Sequence, residues 1–366
     1  MYDEMNTIDQ YYIQRDHLRR FQVAVARGEA TVGFLGGSIT DPRGRCRWSE
    51  YVENWLVDRF PQVKFRFENA AIGATGTLSA LFRVQRNLLY ANCDLVLVEY
   101  AVNDRNDNRD MLEHAREGLL RKLYAAGCDV VCTYTFCNDM LPDLLAGCQP
   151  YTIAGYETLC GQYGTASVFM GDWAREQVRR GLVRWEELLP DGVHPANCGS
   201  RYYAEPVCAL LEAEIARKPT DKLRTLPDPL RADHWQGAYE LDLRTVTRKG
   251  PWMYRNLMDF PCFDHALYTA STDAALEFSF DGTGFALTLN FGWLCSEFEW
   301  RIDGGDWQRG NWDRYDWMDD LGWPCTTLMC CGLERAPHRV EIRTLRDAQS
   351  TAKGSIFEIC GIGIIT

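Results

Sequence analysis

The sequence predicts an α/β domain, a parallel sheet wrapped by helices, followed by a smaller β-sandwich. Three observations predict it. Strand-like and helix-like patterns alternate through the first two thirds of the chain. A charged stretch bearing Pro219, Pro227 and Pro229 then interrupts them. Beyond it, short runs alternate apolar and polar side chains with a period near two, separated by Asp-Gly or Gly-Gly turns. The 366 residues exceed one ordinary core, which also favours two domains.

Taken in order, helical spacing runs over 8–27 and stops at Gly28. Strand candidates follow at 31–35, 63–68, 94–100, 129–135 and 167–170. Between them, amphipathic stretches at 48–60, 78–90, 111–126 and 151–163 supply crossover helices, and a last one spans 197–217. The expected division is a first domain over 1–218, a linker over 219–232 and a sandwich over 233–366. In the sandwich, 275–280, 285–289, 297–302 and 339–343 carry the clearest alternation.

Composition narrows the function. Hydrophobic residues make up 46% and charged residues 25%, an ordinary soluble globular balance. A formal net charge of −12 and the lack of a long basic run argue against a nucleic-acid partner and suit an uncharged or weakly polar substrate. The 15 cysteines are scattered, without paired CxxC spacing, and read as reduced thiols. Met1-Tyr2-Asp3-Glu4 does not open a secretory signal, and no run of about 18 apolar residues suggests a membrane span. The expectation is a cytoplasmic protein with no membrane partner.

Four short segments carry the chemistry. Gly36-Gly37-Ser38-Ile39-Thr40 follows the first buried strand, placing a hydroxyl where an open α/β sheet collects reacting groups. A serine needs a base, and Asp191-Gly192-Val193-His194-Pro195 offers an imidazole and a carboxylate on one irregular turn. Acyl transfer also needs oxyanion donors. Asn69-Ala70-Ala71-Ile72-Gly73-Ala74 can supply a backbone N–H at Gly73, and Val102-Asn103-Asp104 a side-chain amide at Asn103. Each segment alone has a plain explanation as a glycine loop, an Asx turn or a surface histidine.

Together, with Ser, Gly and Asn after the first three strands and a late Asp-x-x-His ahead of the last helix, they resemble the SGNH hydrolases, the GDSL-like esterase and lipase superfamily. The resemblance spans about residues 31–217. It implies a flavodoxin-like three-layer α/β/α domain, with Ser38 as nucleophile, His194 as general base and Asp191 as its orienting partner. It also implies an oxyanion hole of Ser38, Gly73 and Asn103, and no cofactor and no metal. Two departures stand out. The first block reads Gly-Gly-Ser where the family often has Gly-Asp-Ser, as in a carbohydrate-esterase branch. Ala74 adjoins Gly73, so the second donor could fall one position later.

The β-rich part resembles the jelly-roll modules that accompany esterases of plant polysaccharides, with a strand, turn and strand over 299–307. Trp307, Trp312, Tyr315, Trp317 and Trp323 lie in an Asp- and Gly-rich stretch suited either to sugar rings or to core packing. Asp104, beside Asn103, either contacts substrate or caps the next helix. The implied activity is removal of acetyl groups from mannan- or xylan-type oligosaccharides. Competing readings are a general short-chain esterase or thioesterase, and a carbohydrate-binding protein with an inactive hydrolase domain. Five other histidines could compete for the base: His17, His114, His234, His265 and His338. The pairs Asp233-His234 and Asp264-His265 read as turns of the sandwich.

Overall fold

The computed structural model describes residues 7–44, 46–222, 224–256, 263–310, 314–318, 320 and 322–366. The chain divides into two compact units, one of Met1–Ala80 and Val84–Gln236, the other of Leu81–Arg83 and Gly237–Thr366.

The first unit carries six strands: β1 (Tyr12–Ile13), β2 (Glu29–Gly36), β3 (Lys64–Asn69), β4 (Leu95–Glu99), β5 (Asp129–Thr133) and β6 (Ala166–Val168). Its helices are α1 (Arg19–Arg27), α2 (Trp48–Arg59), α3 (Thr77–Asn87), α4 (Arg109–Ala125), α5 (Leu141–Leu145), α6 (Tyr151–Tyr163), α7 (Met170–Arg179), α8 (Trp185–Leu188) and α9 (Asn197–Ala216). The sheet order is β1-β6-β5-β4-β2-β3, with β2 to β6 parallel and β1 antiparallel at the edge. The five parallel strands therefore follow the flavodoxin-like order. Every residue of β4 and β5 is buried, which is why they read as continuous apolar runs rather than alternating ones. The chain leaves β2 toward one edge and β4 toward the other, so right-handed crossovers put helices on both faces. Among the described residues no helix is long and apolar enough to cross a membrane.

Residues 8–27 are not one helix. A 3-10 turn over Ile8–Tyr11 leads into β1, and α1 starts only at Arg19. Tyr12 and Ile13 pair with Val168 and Ser167, so two β-favouring residues complete an open sheet edge instead of a helical turn. The fifth parallel strand stops at Val168, and Met170 opens α7, which was not anticipated. Residues 227–236, expected to fall in a linker and the start of the sandwich, are bound to α4. Glu117 accepts the N–H groups of Leu230 and Arg231 at 2.6 and 2.9 Å, and Trp235 stacks on His114 at 5.2 Å.

The second unit consists of β7 (Tyr239–Glu240), β8 (Thr247–Lys249), β9 (Met253–Asn256), β10 (His265–Thr269), β11 (Ala275–Gly282), β12 (Gly284–Asn290), β13 (Glu297–Ile302), β14 (Gln308–Arg309), β15 (Pro324–Cys330), β16 (Ala336–Leu345) and β17 (Phe357–Ile365). They form two antiparallel sheets, β15-β12-β17-β10-β9 with β7 on β17, and β14-β13-β16-β11-β8. Phe285, Leu287, Ile359 and Ile362 from the first sheet share one core with Phe278, Phe298, Trp300 and Ile342 from the second. The strand β17 is buried at every residue and so lacks the alternation that marks β11 or β16. The β13–β14 hairpin turns at Asp303 and Gly304, both at positive φ (51° and 72°), as an Asp-Gly turn requires.

Candidate active site

The crevice between β2 and β4 is where the crossovers diverge, and ligands of open α/β sheets bind at such a point. Ser38 sits there, two residues beyond β2. Its turn is closed by the N–H groups of Thr40 and Asp41, which both donate to the Gly37 carbonyl at 3.1 and 2.9 Å. A side chain at Gly37 would overlap the Asn103 amide, so only glycine lets the loop after β4 pack directly on the serine turn. The structure thus brings Asn103 against the turn that carries Ser38.

The Asp191–His194 loop follows α8. Gly192 adopts φ 79°, its N–H donates to the Leu189 carbonyl at 2.9 Å, and its own carbonyl accepts the Asn138 N–H at 2.8 Å. Asp191 Oδ1 accepts the N–H groups of Val193 (2.9 Å) and His194 (2.7 Å), which turns its Oδ2 toward the imidazole. His194 Nδ1 lies 2.7 Å from Asp191 Oδ2, and His194 Nε2 lies 2.7 Å from Ser38 Oγ. With Nδ1–H donating to the carboxylate, Nε2 is left to accept the serine proton. Partial burial opposes ionisation of Asp191, but the two backbone N–H groups and the imidazole outweigh it and hold its carboxyl at about 2. Asp191 is therefore charged throughout the range in which an imidazole is neutral.

On the opposite side, the expected donor is already engaged: the Gly73 N–H donates to Asp41 Oδ2 at 2.7 Å in a buried contact. That corrects the assignment of Gly73, since an N–H bound to a buried carboxylate does not face a reacting oxygen. Its neighbour Ala74 is exposed and adopts φ 56°, a left-handed conformation unusual for alanine. Asp41 is held in turn by the Arg43 backbone N–H and guanidinium, and Asn69 Nδ2 donates to the Thr40 carbonyl at 2.9 Å. Asp41 and Asn69 tie the loop after β3 to the serine turn; their place at the ends of the two motif segments was the only signal for them.

Asp104 is not a substrate contact. It is fully buried, accepts the backbone N–H and hydroxyl of Thr77 at 2.9 and 2.8 Å, and pairs with Arg116 at 3.0 Å. It caps α3 rather than the helix that follows it, for which Asn108 is the cap.

Among solved structures, the chain is similar to a two-domain esterase described as active on acetylated mannans. The TM-score is 0.83 at 20% identity, covering 98% of each chain. A second structure of that description, co-crystallised with mannopentaose, matches with a TM-score of 0.81 at 20% identity, again over 98% of each chain. The chain shares this two-domain esterase fold. An acetylxylan esterase from Geobacillus stearothermophilus matches 53% of this chain and 97% of its own at 16% identity, with a TM-score of 0.42. No family profile and no curated protein matches the sequence.

Trp307, Trp317 and Trp323, singled out in the sequence, belong to the second unit and differ among themselves. Trp307 is half-buried, with the guanidinium groups of Arg301 and Arg343 at 4.6 and 4.1 Å from its ring centre. Trp317 is 55% exposed, stacks on Tyr315 at 6.2 Å and meets Trp323 edge-on. Trp312 lies outside the described residues.

Three of the competing histidines are engaged elsewhere. His114 Nδ1 bonds the Asp233 carbonyl, His338 pairs with Asp303, and His265 stacks on Tyr254. Asp233-His234 is not a sandwich turn but part of the segment on α4, and His265 opens β10 instead of a turn. Among the described residues no group of three or more His, Cys, Asp or Glu side chains could hold a metal ion.

Proposed function

We propose that the protein is a serine esterase of the SGNH type that removes acetyl groups from mannan- or xylan-type oligosaccharides. The observation that carries this is the continuous chain from Asp191 Oδ2 through both ring nitrogens of His194 to Ser38 Oγ, with 2.7 Å at each step. Ser38 Oγ attacks the acetyl carbonyl carbon while His194 Nε2 takes its proton. The resulting oxyanion is met by the Ser38 and Ala74 N–H groups and the Asn103 amide. When the intermediate collapses, the ester C–O bond breaks, the imidazolium protonates the departing sugar oxygen, and the acetyl group stays on Ser38. Water, deprotonated by His194, then releases acetate and restores the serine.

The substrate class rests on the fold match to the esterase active on acetylated mannans. The second unit, a jelly-roll-like module in this reading, offers the exposed Tyr315 and Trp317 rings as a sugar platform. The cysteines described are all free thiols, which supports a reducing, intracellular location. Acetate release from acetylated manno- and xylo-oligosaccharides and from p-nitrophenyl acetate, compared between wild type and Ser38→Ala, tests the reading. The variant loses at least about 10⁴-fold in kcat. Preference for the aryl ester over both sugars would leave a general short-chain esterase, and undiminished activity in Ser38→Ala would remove the catalytic assignment.

A further inference from the structure

Glu99 is the last residue of β4, a strand buried at every position. A carboxylate at such a site is costly to bury unless something uses it. It stands directly beside Gly36, the last residue of β2. Gly36 has no side chain, and a Cβ there would come within 2.7 Å of Thr40, which folds back across the glycine onto the carboxylate. Thr40 Oγ1 donates to Glu99 Oε2 at 2.9 Å, and it accepts the Trp48 indole N–H at 2.9 Å. The Gly37 N–H also donates to Glu99. Thr135 Oγ1, just past β5, donates to Glu99 Oε1 at 2.6 Å. None of these partners is a cation, unlike the arginine that accompanies nearby Asp104.

We propose that Glu99 is a positioning residue for Ser38: its ionised carboxylate grips Gly37 and Thr40, on either side of the serine, and fixes the turn so that Ser38 Oγ meets His194 Nε2. This rests on the reading of Ser38 as nucleophile. Every bond into the carboxylate is strongest when Glu99 is charged, because all three partners donate. Burial works the other way and pushes the carboxyl up to about 7, with Asp104 on the following loop adding to the rise. Tyr203 on α9, held neutral by burial and by Glu99 itself, faces the same site, its hydroxyl donating to the Phe136 carbonyl at 3.3 Å. Protonation of Glu99 near neutral pH therefore slackens the turn, and activity on the acid side depends on this group.

The test compares wild type, Glu99→Gln and Thr135→Val. It reads the rate at which phenylmethylsulfonyl fluoride labels Ser38, and kcat and KM for p-nitrophenyl acetate, from about pH 5 to about pH 9. Glu99→Gln is expected to slow labelling and kcat by about ten- to a hundredfold with KM little changed, and its acid limb loses one ionisation. Thr135→Val, which takes one donor from the charged form, is expected to cost about two- to fivefold and to move the acid limb to higher pH. Wild-type labelling rate and an unaltered acid limb in Glu99→Gln overturn the proposal, including the case where only its melting temperature falls. If Glu99→Gln does not fold, an unaltered rate and limb in Thr135→Val overturns it equally. A wild type that is not labelled at Ser38 refutes the esterase reading instead, a result distinct from both.

Discussion

In the sandwich unit, deeply buried carboxylates are met by arginines: Glu358 by Arg255 at 2.5 Å, and Glu297 by Arg309 and Arg314. Its outer face repeats the pattern across strands, Arg301 with Glu341, Arg339 with Glu277 and Arg343 with Glu299. In the α/β unit, Glu99 is held by two hydroxyls and one N–H with no cation among them, and Asp41, though paired with Arg43, also accepts the Gly73 N–H. The sandwich neutralises its charges and uses them as cross-strand glue. At the carboxyl edge of the parallel sheet, charges are aimed at the loops around Ser38, the proposed nucleophile. Buried charge of the second kind marks the functional end of the molecule.

The largest effect that would sharpen this contrast is at the site itself. Asp191→Asn is expected to lower kcat by about 10³- to 10⁴-fold, because an amide cannot hold the same histidine tautomer or stabilise the imidazolium. Steady-state kinetics on p-nitrophenyl acetate, with circular dichroism as the control for folding, measures it. Its counterpart in the sandwich, Glu297→Gln, is expected to cost about 3 kcal/mol of stability by leaving two arginines underpaired, with kcat per folded molecule unchanged. Denaturant unfolding followed by kinetics separates the two. A catalytic loss in Glu297→Gln, or a purely structural one in Asp191→Asn, breaks the comparison.

A smaller effect is expected with pH. Burial raises Glu53, Glu99 and Asp107 to about 7 and Asp129 to about 6. These carboxyls bind protons more tightly folded than unfolded, so their contribution is fully present below the ordinary carboxylate range and is lost as pH rises through about 7. In the sandwich, Asp242, Glu277, Asp303 and Asp347 are held low, mainly by hydrogen bonds from Arg244, Arg339 and Arg309 and, for Asp303, from the Arg339 backbone N–H and His338. Their contribution is present above the ordinary range and is lost as pH falls through it. Hydrogen exchange, corrected for the intrinsic rate, should show the α/β unit less protected at pH 8 than at pH 5, whereas these sandwich carboxylates, ionised at both, cost the sandwich protection only once the pH falls into the ordinary carboxylate range. The smallest change is Ala74→Gly, which relieves the left-handed alanine and is expected to stabilise by about 0.5–1 kcal/mol, as thermal unfolding would show.

The same contrast explains what the sequence disclosed. The parallel strands were legible because full burial leaves unbroken apolar runs such as Leu95–Glu99, and the site because Ser38 adjoins such a run and Asp191-x-x-His194 stands on an irregular turn ahead of the last helix. The strand β17 was hidden by the same burial, since no flanking crossover helix marked Phe357–Ile365 as a strand. The short helices α5 and α8, of five and four residues, are too brief to show a period. Gly73 was misplaced because a motif gives the neighbourhood of a donor but not which N–H is already spent, and Asp41, which spends it, lies 32 residues earlier in the chain. Asp104 was misread because its partners Thr77 and Arg116 come from two different helices.

The central claim is that Ser38 carries the acyl group, and rapid-quench mass spectrometry during turnover of p-nitrophenyl acetate tests it most directly. The account predicts that the peptide bearing Ser38 gains the mass of one acetyl group before steady state is reached, and that it gains none in Ser38→Ala. Steady turnover with that peptide unmodified, or with the acetyl group on another residue, would contradict it.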